Sequence, residues 1–219
     1  MPIDAPGLAD LQRTAAVFNG FPNADRSWLR LVEQTAPAVD LSRAQHRALL
    51  LRWLNSWGCR IRYPRDGEPA PFDDGVAAWW ERWGPALPAA ALAALADDDI
   101  ARLGDAYAGL AEVEVSAGPA RRTLGPTAAA KALYALRPNA IMPWDAAIAA
   151  TLHGGRDGPA FAAHQRLGRR WAVAVLAETG IEERRLAALV GRPQISLAKI
   201  LDEYLYVRVT MSAAATREG

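Results

Sequence analysis

Apolar residues recur every three to four positions along most of the chain and almost nowhere alternate, so the pattern predicts helices nearly throughout. The densest run is TAAAKALYAL, at 127–136, preceded by Gly125, which can cap, and Pro126, which is tolerated at a first helical position. Pro138 disfavours helical geometry at Arg137, so this helix must end there, and Pro143 keeps the following connector extended. Asp145 is then a good N-cap for a second helix that begins DAAIAATL. The stretch 125–148 therefore reads as a helix, a short loop and one acidic side chain held at the mouth of a second helix, beside Trp144.

The helical period also marks SWLRLVEQ, SRAQHRALLLRWLNSW, DGVAAWWERW, DIARLGDAYAGLAEV, FAAHQRLGRRWAVAVLAE, IEERRLAALVG and ISLAKILDEYLYVRV. Ser42 is expected to cap the second of these, Asp73 or Asp74 the third, and Asp97 to Asp99 the fourth. LADLQRTAAVF predicts a weaker helix, and 85–97 helical character after Pro88; only YLYVRVT offers a strand pattern. The expectation is an all-α fold of about eight to ten helices, one domain over 1–219, arranged as two lobes with a cleft between them.

At 219 residues, 51% hydrophobic and 22% charged, the chain can bury a sizeable core, with disorder expected only at its ends, as in the tail SAAATREG. Its formal net charge of +1 neither demands nor excludes DNA, so any nucleic-acid site must be a local basic patch. Two places suit one. Arg60 and Arg62, with Arg65 beside Tyr63, interleave cations with an aromatic in a Gly- and Pro-rich loop, as a strand-following groove does. Arg121 and Arg122 stand just before the free N–H groups of the helix at Gly125, where a phosphate could sit. Solvated surface arginine is the plainer account of the first and an equal alternative for the second.

Trp79 and Trp83 share one face of a short helix, as a hydrophobic anchor or as a stacking platform for an extruded base. His46 reads as a surface or interface histidine and His153 as a surface one near a helix end, and the three consecutive Asp at 97–99 complement a helix dipole, so no metal is assigned. Cys59 is alone, which leaves no disulfide framework, four-thiolate zinc site or iron–sulfur cluster. The N-terminal MPIDAPGLADLQ lacks signal-peptide character and no run reaches the length of a membrane span, so a soluble, cytoplasmic protein is expected.

A carboxylate beside free backbone N–H groups can stabilise positive charge developing on a substrate or orient a water, although most such Asp residues are only caps. In this stretch LGPTAAAKALYAL, a Pro-bounded loop and Pro143-Trp144-Asp145 resemble the helix-hairpin-helix DNA glycosylase superfamily, which includes 8-oxoguanine and 3-methyladenine glycosylases and endonuclease III. Within it they resemble bacterial proteins of the 8-oxoguanine glycosylase fold, some linked to defence against phage, with weaker similarity at LNSWGCRI and AKILDEYLYV. The resemblance implies that Asp145 is the catalytic Asp and that Pro143 and Trp144 shape the wall beside it. Trp57, Trp79 and Trp83 would complete a base pocket, and Arg121, Arg122, Gly125 and Thr127, with Arg60 and Arg62, would hold DNA.

Lys131 is the candidate for the family's catalytic Lys, but that Lys usually stands further before the Asp. Lys131 is therefore expected one helical turn or more from the site, which argues against a Schiff base and for a monofunctional enzyme. The hairpin segment at 117–150 is degenerate, with Thr123 where the first Gly of Gly-x-Gly would be. The implied activity is hydrolysis of the N-glycosidic bond of a flipped-out modified base in double-stranded DNA, by a monomer needing no cofactor. Modified cytosine in phage DNA and oxidised or alkylated bases are competing substrates. A non-catalytic DNA- or partner-binding module on the same scaffold, and a protein-binding regulator, are the alternatives of another class.

Overall fold

The computed structural model describes residues 3–116 and 121–212, without the side chains of Pro22 and Ala24; the start of the hairpin segment, 117–120, and the expected frayed tail, 213–219, lie outside the described residues. Among the described residues there are ten α-helices and no strand, so the chain is all-α. None of these helices is long and apolar enough to cross a membrane.

The centre is α6 (Gly125–Leu136), in which Ala128 to Ala130 and Ala132 to Leu136 are buried while Lys131 is half-buried. Its alanines let neighbours close in on all sides: α5 (Asp97–Ala111) along one flank and α3 (Ala44–Ser56) along another. α5 also packs along α8 (Gly158–Thr179), the longest helix. At that crossing a Cβ on Gly104 would come within 2.9 Å of the Gly158 carbonyl oxygen, and one on Gly158 within 2.7 Å of the Gly104 carbonyl oxygen. Only glycine permits so close a backbone approach.

A second buried helix, α10 (Leu197–Leu205), has every residue inside, against α8, α1 (Leu8–Phe18) and α9 (Glu183–Leu189). A helix enclosed all round is normally apolar, yet this one carries Lys199, Asp202 and Glu203 into the interior. Beyond Leu205 the chain runs on as a π-helical turn, Tyr206–Met211, so the strand pattern of YLYVRVT is overridden by continuation of a helix already packed on its neighbours. The remaining helices are α2 (Pro22–Gln34), α4 (Pro71–Trp83) and α7 (Ala146–His153).

Three local expectations need correction. Ser42 does not cap α3: its hydroxyl donates to Asp40 at 2.7 Å and Arg43 takes the cap position. α4 starts at Pro71, so Asp73 falls in its first turn, where it accepts two N–H groups of Arg47 at 2.7 Å each. Up to Asp97, where α5 begins, the segment 85–97 forms only short 3₁₀ turns, Gly84–Ala86 and Leu92–Ala94, in keeping with the prolines that interrupt it.

Candidate functional site

Asp145 caps α7 as its sequence setting requires, with Oδ1 accepting the Ile148 N–H at 2.8 Å. Its other oxygen, Oδ2, accepts the hydroxyl of Thr210 at 2.7 Å. Thr210 belongs to the π-helical turn, where the extra residue per turn commonly marks a functional position. Both carboxylate oxygens are thus held in place, by groups 65 residues apart in the chain in the case of Thr210.

The connector before Asp145 is clamped from α8. Gln165, fully buried, accepts the Met142 N–H and donates to the Met142 carbonyl, each at 2.9 Å. His164, also fully buried, lies 3.2 Å through Nε2 from the Pro143 carbonyl oxygen and 3.1 Å through Nδ1 from His153 Nε2. A carbonyl only accepts, so the proton of His164 is on Nε2; its Nδ1 accepts, and His153 donates. The His164 ring is therefore neutral. Burial, with His153 adding to it, pushes His164 down to about 3, and burial lowers His153 as well. His46 is buried too, its Nδ1 accepting the Asp40 N–H at 3.0 Å. His46 is thus an interface rather than a surface histidine, and His153, in the last turn of α7, is half-buried by its contact with α8.

Beside Asp145 lies a cavity of about 440 Å³, within the range of about 300–1,000 Å³ taken by small-molecule sites. Its apolar wall comes from Phe18, Phe21, Trp57, Trp144 and Tyr206. Phe18 and Tyr206 meet edge-on at 5.7 Å between ring centres, while Trp57 stacks on buried Tyr134 at 6.2 Å. Lys131 lines the same cavity, its Nζ donating to the Trp57 carbonyl at 2.6 Å and standing 5.7 Å from the Trp57 ring centre. The connector folds back, so α6 and the start of α7 face one space, and Lys131 and Asp145 line the same cavity.

The other side of the cavity is charged. Lys199 donates to Asp202 at 2.6 Å and lies 5.4 and 5.3 Å from the ring centres of Phe18 and Trp57. Burial would lower its ammonium, but Asp202 and Glu203 outweigh that and hold it raised, as a cation. Arg192 donates to both Asp25 and Glu203, so these acids and Lys199 form one connected cluster. Burial pushes the Glu203 carboxyl up, against the pull of Lys199 and Arg192. Asp25, Asp202 and Glu203 all reach the cavity.

Trp79 and Trp83 do not belong to this site. Their shared face packs α4 on α5: Trp79 is 5% exposed and donates to the Ala106 carbonyl at 2.8 Å, and Trp83 lies against Gly109. The cationic candidates divide. Arg60, Arg62 and Arg122, all exposed, line a second cavity of about 200 Å³ with Cys59, Ser116 and Thr123. Arg60 takes the left-handed region, φ 54°, and Arg62 pairs with Glu68. Arg121 points instead to Glu114, 3.7 Å away, and does not line it. Gly125, at φ 77°, turns the chain into α6, and Thr127 is half-buried in its first turn. The chain from Trp57 to Arg62 thus touches both cavities, the aromatic end in one and the basic end in the other.

The thiol of Cys59 is pushed up by burial, against the pull of Lys131, and is no candidate nucleophile. Among the described residues no three His, Cys, Asp or Glu side chains converge as a metal site would require. Gln165, His164 and Thr210 carry no local sequence signal, whereas the charged cluster leaves one, since α10 combines apolar periodicity with Lys199, Asp202 and Glu203. Compared with known protein families, with curated proteins and with solved structures, the chain matches none.

Proposed function

We propose that the chain is a monofunctional DNA N-glycosylase on a two-lobed, glycosylase-like scaffold with a degenerate hairpin, acting as a cytoplasmic monomer on a modified base turned out of duplex DNA. The observation that carries this reading is that Asp145, Lys131 and aromatic rings line one cavity of about 440 Å³, large enough for a base with a bulky substituent. In the reaction the bond from sugar C1′ to the base nitrogen breaks, water adds its oxygen to C1′, and a proton passes to the departing base. Positive charge develops on the sugar meanwhile. Asp145, fixed through Ile148 and Thr210, stabilises that charge and guides the water. Trp57 and its neighbours supply faces on which the base packs. Lys131 is tied to the Trp57 carbonyl, which suits an electrostatic role better than a covalent one.

Arg60, Arg62 and Arg122 form a basic patch whose backbone is continuous with the cavity wall, which suits phosphate contacts flanking an extruded nucleotide. Modified cytosine in phage DNA, and hence antiviral defence, is the favoured substrate. The test is abasic-site formation on unmodified DNA, oxidised or alkylated DNA, and DNA with hypermodified cytosines. Abasic sites in one of them, abolished by Asp145→Asn with folding and DNA binding retained, support the proposal. Salt-dependent binding without reaction on any of the three favours the non-catalytic module.

A further inference from the structure

Resting on that reading, we propose that Asp202 selects the extruded base by its amine, with Asp202 Oδ1 accepting a hydrogen bond from the exocyclic 4-amino group of a cytosine-type base. Four carboxylates line the cavity, those of Asp25, Asp145, Asp202 and Glu203. Asp25 accepts from Arg192 through both oxygens, and Asp145 accepts from Ile148 and Thr210. Glu203 accepts from Arg192 through Oε1, and its Oε2 is sealed in the interior, out of reach of any ligand. Among the described residues Asp202 alone keeps an oxygen to offer there. Lys199 donates to its Oδ2 at 2.6 Å, whereas Oδ1 accepts from no group among the described residues and is not sealed as Glu203 Oε2 is.

The open surface of this side chain belongs to the cavity. Every residue of α10 is buried by its neighbours, yet the Asp202 side chain stays 10% exposed, against 1% for Glu203, and it lines the cavity. The groups around its carboxylate line the cavity too. Lys199 Nζ stands 5.4 and 5.3 Å from the ring centres of Phe18 and Trp57. Burial pushes the Asp202 carboxyl up and Lys199 pulls it down, while Asp145 and Lys131 are near enough to add to these opposing effects. An ammonium only donates, so Lys199 takes one carboxylate oxygen and leaves the other to the ligand as an acceptor. An acidic side chain is the usual acceptor for the cytosine 4-amine. Among pyrimidines, cytosine types carry that amine and thymine and uracil types do not. The aromatic wall is indifferent to this distinction, because every base offers a ring face. Discrimination therefore falls to Asp202, and a site built around a hydrogen bond rejects an analogue that lacks it.

The experiment compares the affinity of the intact protein for two short duplexes at fixed salt and pH 8. Each carries one 2′-fluorinated nucleotide, whose glycosidic bond resists cleavage, placed opposite an abasic site so that it is unpaired. Its base is 5-hydroxymethylcytosine in one duplex and the analogue with hydrogen in place of the 4-amine in the other. The wild type is expected to bind the amine-bearing duplex about tenfold or more tighter. In Asp202→Asn the amide carbonyl turns to Lys199, which only donates, so an amide N–H group replaces Oδ1 and the preference is expected to vanish or reverse. Equal affinity of the wild type for the two duplexes, or an amine preference undiminished in folded Asp202→Asn, overturns the proposal. If Asp202→Asn does not fold, the wild-type pair alone decides. Absence of binding to both duplexes removes the DNA reading and this inference together. Amine preference without base release from cleavable DNA leaves this inference standing while the glycosylase reading falls; base release without amine preference does the reverse.

Discussion

Acidification is expected to loosen the part of the fold that holds Asp145, through His164. In the folded protein this ring is fully buried, bridges Pro143 and His153, and is pushed down to about 3; unfolded, it takes the ordinary value of about 6.5. The unfolded chain therefore binds the extra proton first. The neutral ring's contribution is complete above pH 6.5 and is lost as pH falls from there toward 3. The full difference corresponds to about 5 kcal/mol, of which about 2 kcal/mol is gone at pH 5. His153, also lowered, acts in the same direction, while the raised carboxyls of Glu183 and Glu203 act oppositely. Urea unfolding at pH 8, 6.5 and 5, with His164→Gln alongside, isolates the ring. The wild type is predicted to lose about 2 kcal/mol more between pH 8 and pH 5 than the variant, which is itself less stable at pH 8. Equal losses in the two proteins would refute the assignment of a buried neutral histidine to this connector.

Thr210→Val removes the hydroxyl that holds Asp145 Oδ2 and is expected to lower kcat about tenfold with little change in KM, while Thr210→Ser restores the rate; steady-state kinetics on the substrate DNA checks both. Substituting Arg60, Arg62 or Arg122 by Ala should each reduce the slope of log affinity against log salt by about 0.9 if each meets one phosphate, and an unchanged slope removes that residue from the interface. Gly158→Ala puts a Cβ 2.7 Å from the Gly104 carbonyl oxygen and should cost about 1–3 kcal/mol, read as a Tm several degrees lower by calorimetry.

The helices were largely legible because their signals are local: Pro126, Pro138 and Pro143 delimit α6 and its connector, and Asp145 caps α7 through an amide three residues on. Caps that depend on competing partners were not, since Ser42 turns to Asp40 and Asp73 to Arg47 from another helix. The candidate site divides on the same line. Asp145, Trp144 and Lys131 stand on the stretch 125–148 and Trp57 at the end of the helical run SRAQHRALLLRWLNSW, and the fold gathers them around one cavity. Trp79 and Trp83 have the composition of a stacking platform, but which face of an aromatic helix turns inward is decided by α5. Thr210 and Gln165 act across chain separations of 65 and 23 residues, so no local spacing reports them.

The most direct test of the account is mass spectrometry of the small molecules released when the protein acts on DNA carrying hypermodified cytosines. Free modified base is expected from the wild type and none from Asp145→Asn under the same conditions. Release of nucleotides instead of base, or undiminished release by Asp145→Asn, would contradict it.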